Sequence, residues 1–300
     1  MSKIKNAFAK KGAFIPFITA GDPTLDKTEE FVLAMEEAGA SLVELGIPFS
    51  DPIADGPVIQ KANLRSLAAG CTTDKIFDMV ISLRKKTQIP LVFLAYLNTL
   101  FVYGYEKFCK RCQEAGIDGV IIPDLPFEER DELEPIASKY GVDVITMIAP
   151  TSKERIEMQA KAAKGFIYVV SSLGVTGERT NITTDIGEIV ATIRKVTDLP
   201  AAVGFGINKK EQVAKYCEIA DGAIVGSAIV RIVDNKTSSI FFISSPVSES
   251  NIFIPCSALI ACQVLLSLRL TPPTKAAFFI SSNSPLFALR IDLNTSASLE

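Results

Sequence analysis

The sequence predicts an α/β fold, a (β/α)8 TIM barrel of eight parallel strands ringed by helices, over the first three quarters of its 300 residues. Eight short apolar runs alternate with amphipathic segments, and most runs are continuously apolar, as in strands buried on both faces of a parallel sheet. Parallel neighbours need crossover helices, so this order favours a closed barrel. An open doubly wound sheet is the alternative, although no GxGxxG turn follows the first run. The runs are AFIPFITA (13–20), SLVELGI (41–47), PLVFLAY (90–96), GVIIPD (119–124), VDVITMIA (142–149), FIYVVSS (166–172), PAAVGFG (200–206) and DGAIVGS (221–227).

The segments between these runs have the spacing of amphipathic helices, with apolar residues three and four positions apart. Two segments also carry an N-cap signature, a capping side chain followed three residues later by Glu. The apolar positions are Phe31, Val32, Met35 and Ala38, then Leu133, Ile136, Ala137 and Tyr140, then Ile186, Ile189, Val190, Ile193 and Val196; the predicted caps are Thr151 and Asn208.

Composition narrows the classes of function. The chain is 48% hydrophobic with a net charge of −3 and no basic stripe, which argues against a nucleic-acid partner. It has no histidine, so His-containing triads and the commonest metal ligand are excluded. The N-terminal segment lacks the apolar stretch of a secretory leader, and we expect a reduced, cytoplasmic setting. Cys109 and Cys112 lie on the apolar stripe of a predicted helix, and we interpret them as core residues rather than zinc ligands.

The regular pattern ends near Asp234. We therefore predict a barrel domain over 1–235 and, over 236–300, a Ser-rich apolar tail that is poorly ordered and replaces the usual last helix. The segment 229–235 can begin a helix, but no amphipathic face continues it. Residues 252–270 approach the length of a membrane span, yet Pro255, Gln263 and Arg269 interrupt them, so no span is predicted.

Acidic residues at the predicted barrel mouth are candidates for proton transfer, because βα loops carry function in barrels. Glu44 lies inside the second apolar run, where an unpaired charge is costly. It is either satisfied by a core partner or is a carboxyl of raised pKa suited to acid–base work. The following loop, 48–57, offers Asp51 and Asp55, and spacing alone does not choose between them.

Three glycine-rich turns follow late strands: SLGVTG (172–177), GFG (204–206) and VGS (225–227). Glycine lets the backbone approach a ligand, and exposed N–H groups can hold an anion. Gly226 and Ser227 would also open a helix, whose dipole favours phosphate. Barrel enzymes often bind phosphate after strands seven and eight. The turns therefore predict a phosphorylated ligand held by backbone donors.

These motifs together resemble the tryptophan synthase alpha chain family. The matching stretches are FIPFITAGDPT (14–24), VELGIPFSDPIADGPVIQKA (43–62), AGIDGVIIPDLP (115–126), SSLGVTG (171–177), VGFGI (203–207) and ADGAIVGSAIV (220–230). The resemblance implies a lyase that splits indole-3-glycerol phosphate into indole and glyceraldehyde 3-phosphate. It also implies an alpha2-beta2 heterotetramer with a beta chain that carries pyridoxal phosphate, and no cofactor in this chain.

The resemblance assigns roles to individual residues. Glu44 is implied to be the acid–base that protonates the indole ring carbon, and Asp55 to accept a hydrogen bond from the indole N–H. The remaining implied roles are substrate contact for Phe17, Tyr168 and Phe205, phosphate binding for Gly177, Gly206, Gly226 and Ser227, and partner docking for Pro48 and Asp51.

Two other functions stay open at this stage. One is another phosphate-binding barrel, an isomerase or aldolase, although a Schiff-base aldolase needs a Lys at a strand end and the eight runs contain none. The other is a catalytically impaired chain that still binds the beta chain, owing to its altered C-terminus.

Overall fold

Eight parallel strands form a closed barrel in chain order within the part of the chain that the computed structural model describes, residues 3–171, 185–207 and 210–235. The last strand pairs with the first, so the open-sheet alternative is wrong. Each predicted apolar run overlaps one strand. The strands are β1 (Ala13–Thr19), β2 (Val43–Gly46), β3 (Leu91–Leu94), β4 (Gly119–Ile121), β5 (Asp143–Ile148), β6 (Lys164–Val170), β7 (Ala201–Gly204) and β8 (Gly222–Val225).

Helices surround this barrel, and the three amphipathic patterns coincide with the second, seventh and ninth of them. The helices are α1 (Lys3–Ala7), α2 (Leu25–Glu37), α3 (Pro57–Ala68), α4 (Thr73–Leu83), α5 (Leu97–Tyr103), α6 (Tyr105–Ala115), α7 (Glu134–Lys139), α8 (Lys153–Ala162), α9 (Ile186–Arg194), α10 (Lys210–Ile219) and α11 (Ser227–Asn235), with a 3₁₀ helix at Phe127–Glu132.

One predicted cap is wrong by a residue. Helix α8 is capped by Ser152, whose hydroxyl oxygen accepts a hydrogen bond from the Arg155 backbone N–H at 3.3 Å. Thr151 therefore lies one position before the cap, because two adjacent hydroxyl residues both fit the signature and the backbone geometry selects the second. The other predicted cap, Asn208, lies outside the described residues.

The core has two layers that keep the barrel mouth free for a site. Inward side chains of the strands, among them Ile15, Val92, Phe166 and Ile224, form one buried cluster, while the outward side chains pack against the helices. The N-terminal end of the barrel is plugged by Ile4 of α1. Since the bottom is filled, the accessible space lies where the strands end and the βα loops begin.

Two further sequence predictions have structural outcomes. Cys109 and Cys112 are both fully buried in α6, which confirms their interpretation as core residues.

After β8 the chain forms α11, which contacts β1 and α3. The predicted tail, 236–300, lies outside the described residues. No helix in the described ranges is long and apolar enough to cross a membrane.

Candidate active site

A pocket lies at the carboxyl ends of the strands, and its empty space, including the solvent-filled mouth, is about 570 Å³. Its lining is mostly apolar with two carboxylates, the character expected of a small-molecule site. Of the implied site residues, Gly177 lies outside the described residues, and Pro48 and Asp51 do not line the pocket. The implied residues that do line it are Phe17, Glu44, Asp55, Tyr168, Phe205, Gly206, Gly226 and Ser227.

Glu44 points into the barrel from β2, in register with Phe17 of β1 and Val92 of β3. It is 1% exposed, and its Oε1 has no hydrogen-bond partner among the described residues. Burial without a compensating partner penalises the charged form and raises the pKa of this carboxyl to about 8. Glu44 is therefore protonated at neutral pH, and no core partner satisfies its Oε1.

Asp55 lies in the loop between β2 and α3 and is 4% exposed. Its carboxylate accepts hydrogen bonds from the side chains of Tyr96 and Asn63. Burial raises its pKa to about 6, and the two hydrogen bonds oppose that rise. Asp51, in contrast, is exposed and accepts a hydrogen bond from the Ser50 hydroxyl. The structure thus selects Asp55 as the loop carboxylate that faces the pocket.

Sequence reasoning missed the two residues that hold Asp55. Tyr96 follows β3, and its hydroxyl accepts a hydrogen bond from the Ala54 backbone N–H at 3.0 Å while it donates to the Asp55 carboxylate. The sequence does contain a signal for Tyr96, because an aromatic residue with a polar hydroxyl ends the third apolar run. Asn63 lies on α3, and nothing in the helical pattern distinguishes it from a surface residue, although it is only 4% exposed.

The pocket wall opposite the carboxylates is built by Tyr168 of β6 and Phe205, whose rings meet edge to face at 6.0 Å. Burial and the nearby carboxylates raise the pKa of the Tyr168 hydroxyl far above its usual range, so it stays neutral. Gly204 makes this arrangement feasible, because a Cβ there would lie 2.2 Å from the Tyr168 hydroxyl. Phe205 adopts φ +74°, a left-handed conformation rare for a bulky residue, and such strain is common at functional sites.

The far end of the pocket is suited to an anion. Gly206 and Gly226 line it, and Ser227 begins α11, so backbone N–H groups and the positive end of a helix dipole face the space. No Lys or Arg lines this pocket within the described ranges. A Cβ at Gly226 would make only ordinary contact, 3.6 Å from Phe17. Packing therefore does not demand glycine at this position, and the backbone here is open to close approach by a ligand.

The site defines a class of protein. At neutral pH one buried carboxyl, Glu44, is protonated and a second, Asp55, is ionised, and such divided pKa values mark an acid and an anionic partner. No cluster of three metal-ligating side chains occurs in the described residues. A (β/α)8 barrel with such a pocket is typical of an enzyme that performs acid–base chemistry on a small, anionic substrate.

Comparison with known proteins gives the family. A family model described as tryptophan synthase alpha chain matches residues 3–244. The tryptophan synthase alpha chain of Lacticaseibacillus casei is 54% identical over 233 residues, 78% of this chain and 88% of that relative. That of Alkaliphilus metalliredigens is 52% identical over 222 residues, 74% and 84% of the two chains. The chain belongs to the tryptophan synthase alpha chain family.

Solved structures agree with the sequence comparison. Tryptophan synthase subunit alpha from Campylobacter jejuni matches with a TM-score of 0.69 at 37% identity, covering 76% of this chain and 91% of that chain. A chain of the tryptophan synthase complex from Pyrococcus furiosus matches with a TM-score of 0.70 at 35% identity, covering 76% and 92%. As a member of this family, the chain is a lyase of tryptophan biosynthesis that cleaves indole-3-glycerol phosphate into indole and glyceraldehyde 3-phosphate.

Proposed function

We propose that Glu44 and Asp55 are the catalytic pair for this cleavage, within a barrel domain that spans 1–235. The observation that carries the proposal is the buried Glu44 carboxyl, which has no partner at Oε1 among the described residues and a pKa of about 8. A neutral acid in an apolar mouth at neutral pH is suited to donate a proton to carbon and then to accept one from a hydroxyl.

The reaction follows from the two protonation states. Glu44 gives its proton to the indole ring carbon that bears the glycerol side chain, which places positive charge on the ring nitrogen. The Asp55 carboxylate accepts a hydrogen bond from the ring N–H and stabilises that charge. The Glu44 carboxylate then takes the proton of the adjacent glycerol hydroxyl. As the carbon–carbon bond breaks, its electrons return to the ring and the aldehyde forms.

The other pocket residues bind the two ends of the substrate. Phe17, Tyr168 and Phe205 provide aromatic surface around the indole ring, next to the carboxylates. Gly206, Gly226 and Ser227 hold the phosphate through backbone donors at the start of α11. Gly177, outside the described residues, is assigned to phosphate binding by the family motif alone.

We further propose that the chain works with a beta chain in an alpha2-beta2 assembly. Three apolar side chains are exposed in the segments that follow β2 and β3, one in the loop before α3 and two in α5: Ile53 at 73%, Phe101 at 68% and Val102 at 77%. Apolar exposure of this kind, beside the exposed Asp51, suits a partner surface at the pocket mouth. Pro48 is buried, so its role in docking is to hold the loop. The family resemblance assigns pyridoxal phosphate to the beta chain and no cofactor to this chain, and the cleavage proposed above uses only acid–base groups of this chain. We place the enzyme in the cytoplasm.

The test is release of indole from indole-3-glycerol phosphate by the full chain, with and without a beta chain. Glu44→Gln should reduce turnover by at least about 100-fold, because a general acid–base typically contributes 10²–10⁴. Binding of glycerol 3-phosphate should be retained. The matched control is Glu106→Gln, which removes an exposed carboxylate paired with Lys139 and should leave turnover unchanged.

The outcomes separate the assignments. Loss of ligand binding together with turnover in Glu44→Gln would make Glu44 structural. A folded wild-type chain with no turnover even beside a beta chain would instead support the impaired binding partner. A Schiff-base aldolase has no support in the described residues, since β6 begins at Lys164 at the opposite end of the barrel from the pocket, where its Nζ donates to the Ser138 hydroxyl.

A further inference from the structure

We infer that Arg65 is a positioning residue for the phosphate end of the site: it ties α3, which begins just after Asp55, to α11, whose first turn carries the phosphate-binding groups. The inference rests on the proposed roles of Gly226 and Ser227. Arg65 lies in the last turn of α3 and forms ion pairs with two carboxylates, Asp22 and Asp234.

The Asp22 side of this network is firmly held. Asp22 follows β1, and its side chain is 2% exposed. The Arg65 guanidinium donates two hydrogen bonds to it, from Nε at 2.8 Å and from Nη2 at 2.7 Å. Such a two-point pair sets the plane of the guanidinium as well as its position. The contact with Asp22 thereby fixes Arg65 relative to the barrel, independently of its contact with α11.

The third nitrogen reaches α11. Nη1 of Arg65 lies 3.0 Å from the carboxylate of Asp234, which is half exposed in the last turn of that helix. The pair anchors α11 at the opposite end of its described range from Ser227 and the phosphate site.

The ion pairs continue an apolar contact that reaches the pocket. Ile59 and Ala62 of α3 pack with Val230 of α11 and Phe17 of β1 in a separate buried cluster. Ile59, Ala62 and Arg65 are spaced by three residues, and Val230 and Asp234 by four, so each set lies on one helix face. Ile59 and Phe17 also line the pocket. A tilt of α11 about this contact would displace Gly226 and Ser227 from the phosphate.

The sharpest test removes only the α11 partner. Asp234→Asn keeps the buried pair between Arg65 and Asp22, whereas deleting Arg65 would leave Asp22 buried without a partner and endanger folding. The probe is glycerol 3-phosphate, titrated calorimetrically into the full chain. We expect its Kd to rise about 1.5- to fivefold, the range for loss of one partly exposed ion pair. The Kd of indole should not change, and in turnover KM should rise while kcat is retained.

The direction of the effect separates positioning from electrostatics. Removing a negative charge from the helix that holds the phosphate would, by charge alone, tighten phosphate binding. The matched control is Asp78→Asn, which cuts another Arg–Asp pair of 3.0 Å between two helices, made with Arg111. Unchanged or tighter binding in Asp234→Asn, or equal weakening in Asp78→Asn, would overturn the inference.

Two more variants complete the test. Arg65→Lys retains the charge but not the two-point geometry, so it should also weaken glycerol 3-phosphate and spare indole. Gly226→Ala is sterically tolerated and should weaken glycerol 3-phosphate strongly. If Gly226→Ala has no effect, the proposed phosphate site itself is wrong. If it weakens binding while Asp234→Asn does not, only the role of Arg65 is refuted.

Discussion

Glu44→Gln should remove a strong pH dependence from the stability of the fold. In the folded chain the pKa of Glu44 is about 8, against 4.5 for an unperturbed glutamate. Between these values the folded state binds a proton that the unfolded state has released, so the free energy of unfolding of the wild type falls as pH rises. The loss is roughly 1.4 kcal/mol per pH unit, which amounts to about 3 kcal/mol at pH 7 and about 5 kcal/mol above pH 8.

Glutamine cannot ionise, so the variant escapes this loss. Urea unfolding of both chains, followed by circular dichroism from pH 5 to pH 8, measures the difference. The stability of the variant relative to the wild type should rise with pH by roughly the slope above, whatever its constant offset. Asp51→Asn, at an exposed carboxylate, should differ from the wild type by no more than about 0.5 kcal/mol throughout. Parallel curves for Glu44→Gln and the wild type would refute the buried, unpartnered carboxyl.

The remaining predictions concern the pocket wall, the loop and the partner surface. Gly204→Ala should lower the free energy of unfolding by about 1–3 kcal/mol, because its Cβ meets the Tyr168 ring. In a Tyr168→Ala background the same change should cost less, measured against Tyr168→Ala alone, whereas in a Tyr168→Phe background its cost should persist, since the ring carbons at 2.4 and 2.5 Å remain. Tyr96→Phe removes a hydrogen bond that lowers the pKa of Asp55. The acidic limb of the pH–rate profile, which reports ionisation of Asp55 and is expected near pH 6, should therefore shift to higher pH. The alkaline limb near pH 8, which reports loss of the proton from Glu44, should not shift. Phe101→Asp should weaken beta-chain association, measured by ultracentrifugation, without changing the melting temperature.

Much of this protein follows from the order of its residues. Continuous apolar runs predict strands buried on both faces, and their alternation with amphipathic segments predicts crossover helices. The barrel, and the end of it that carries the site, can therefore be predicted from the sequence. Glu44 was recognisable because a carboxylate inside an apolar run is costly. Glycine is common after strands, so the turns at 204–206 and 225–227 were recognisable because, with 172–177, they occur in successive late loops, where barrel enzymes often bind phosphate.

Tertiary structure decided what depends on several elements meeting. Spacing left Asp51 and Asp55 equal, and the family resemblance implied Asp55. The loop geometry gives the physical difference, since it exposes Asp51 and buries Asp55 beside Tyr96 and Asn63, from two other elements. The pKa of Glu44 is likewise a property of everything packed around it, not of its neighbours in sequence. Local patterns report the preference of one segment at a time, whereas desolvation and hydrogen bonding are set by residues that are distant in the chain and become adjacent when the barrel closes.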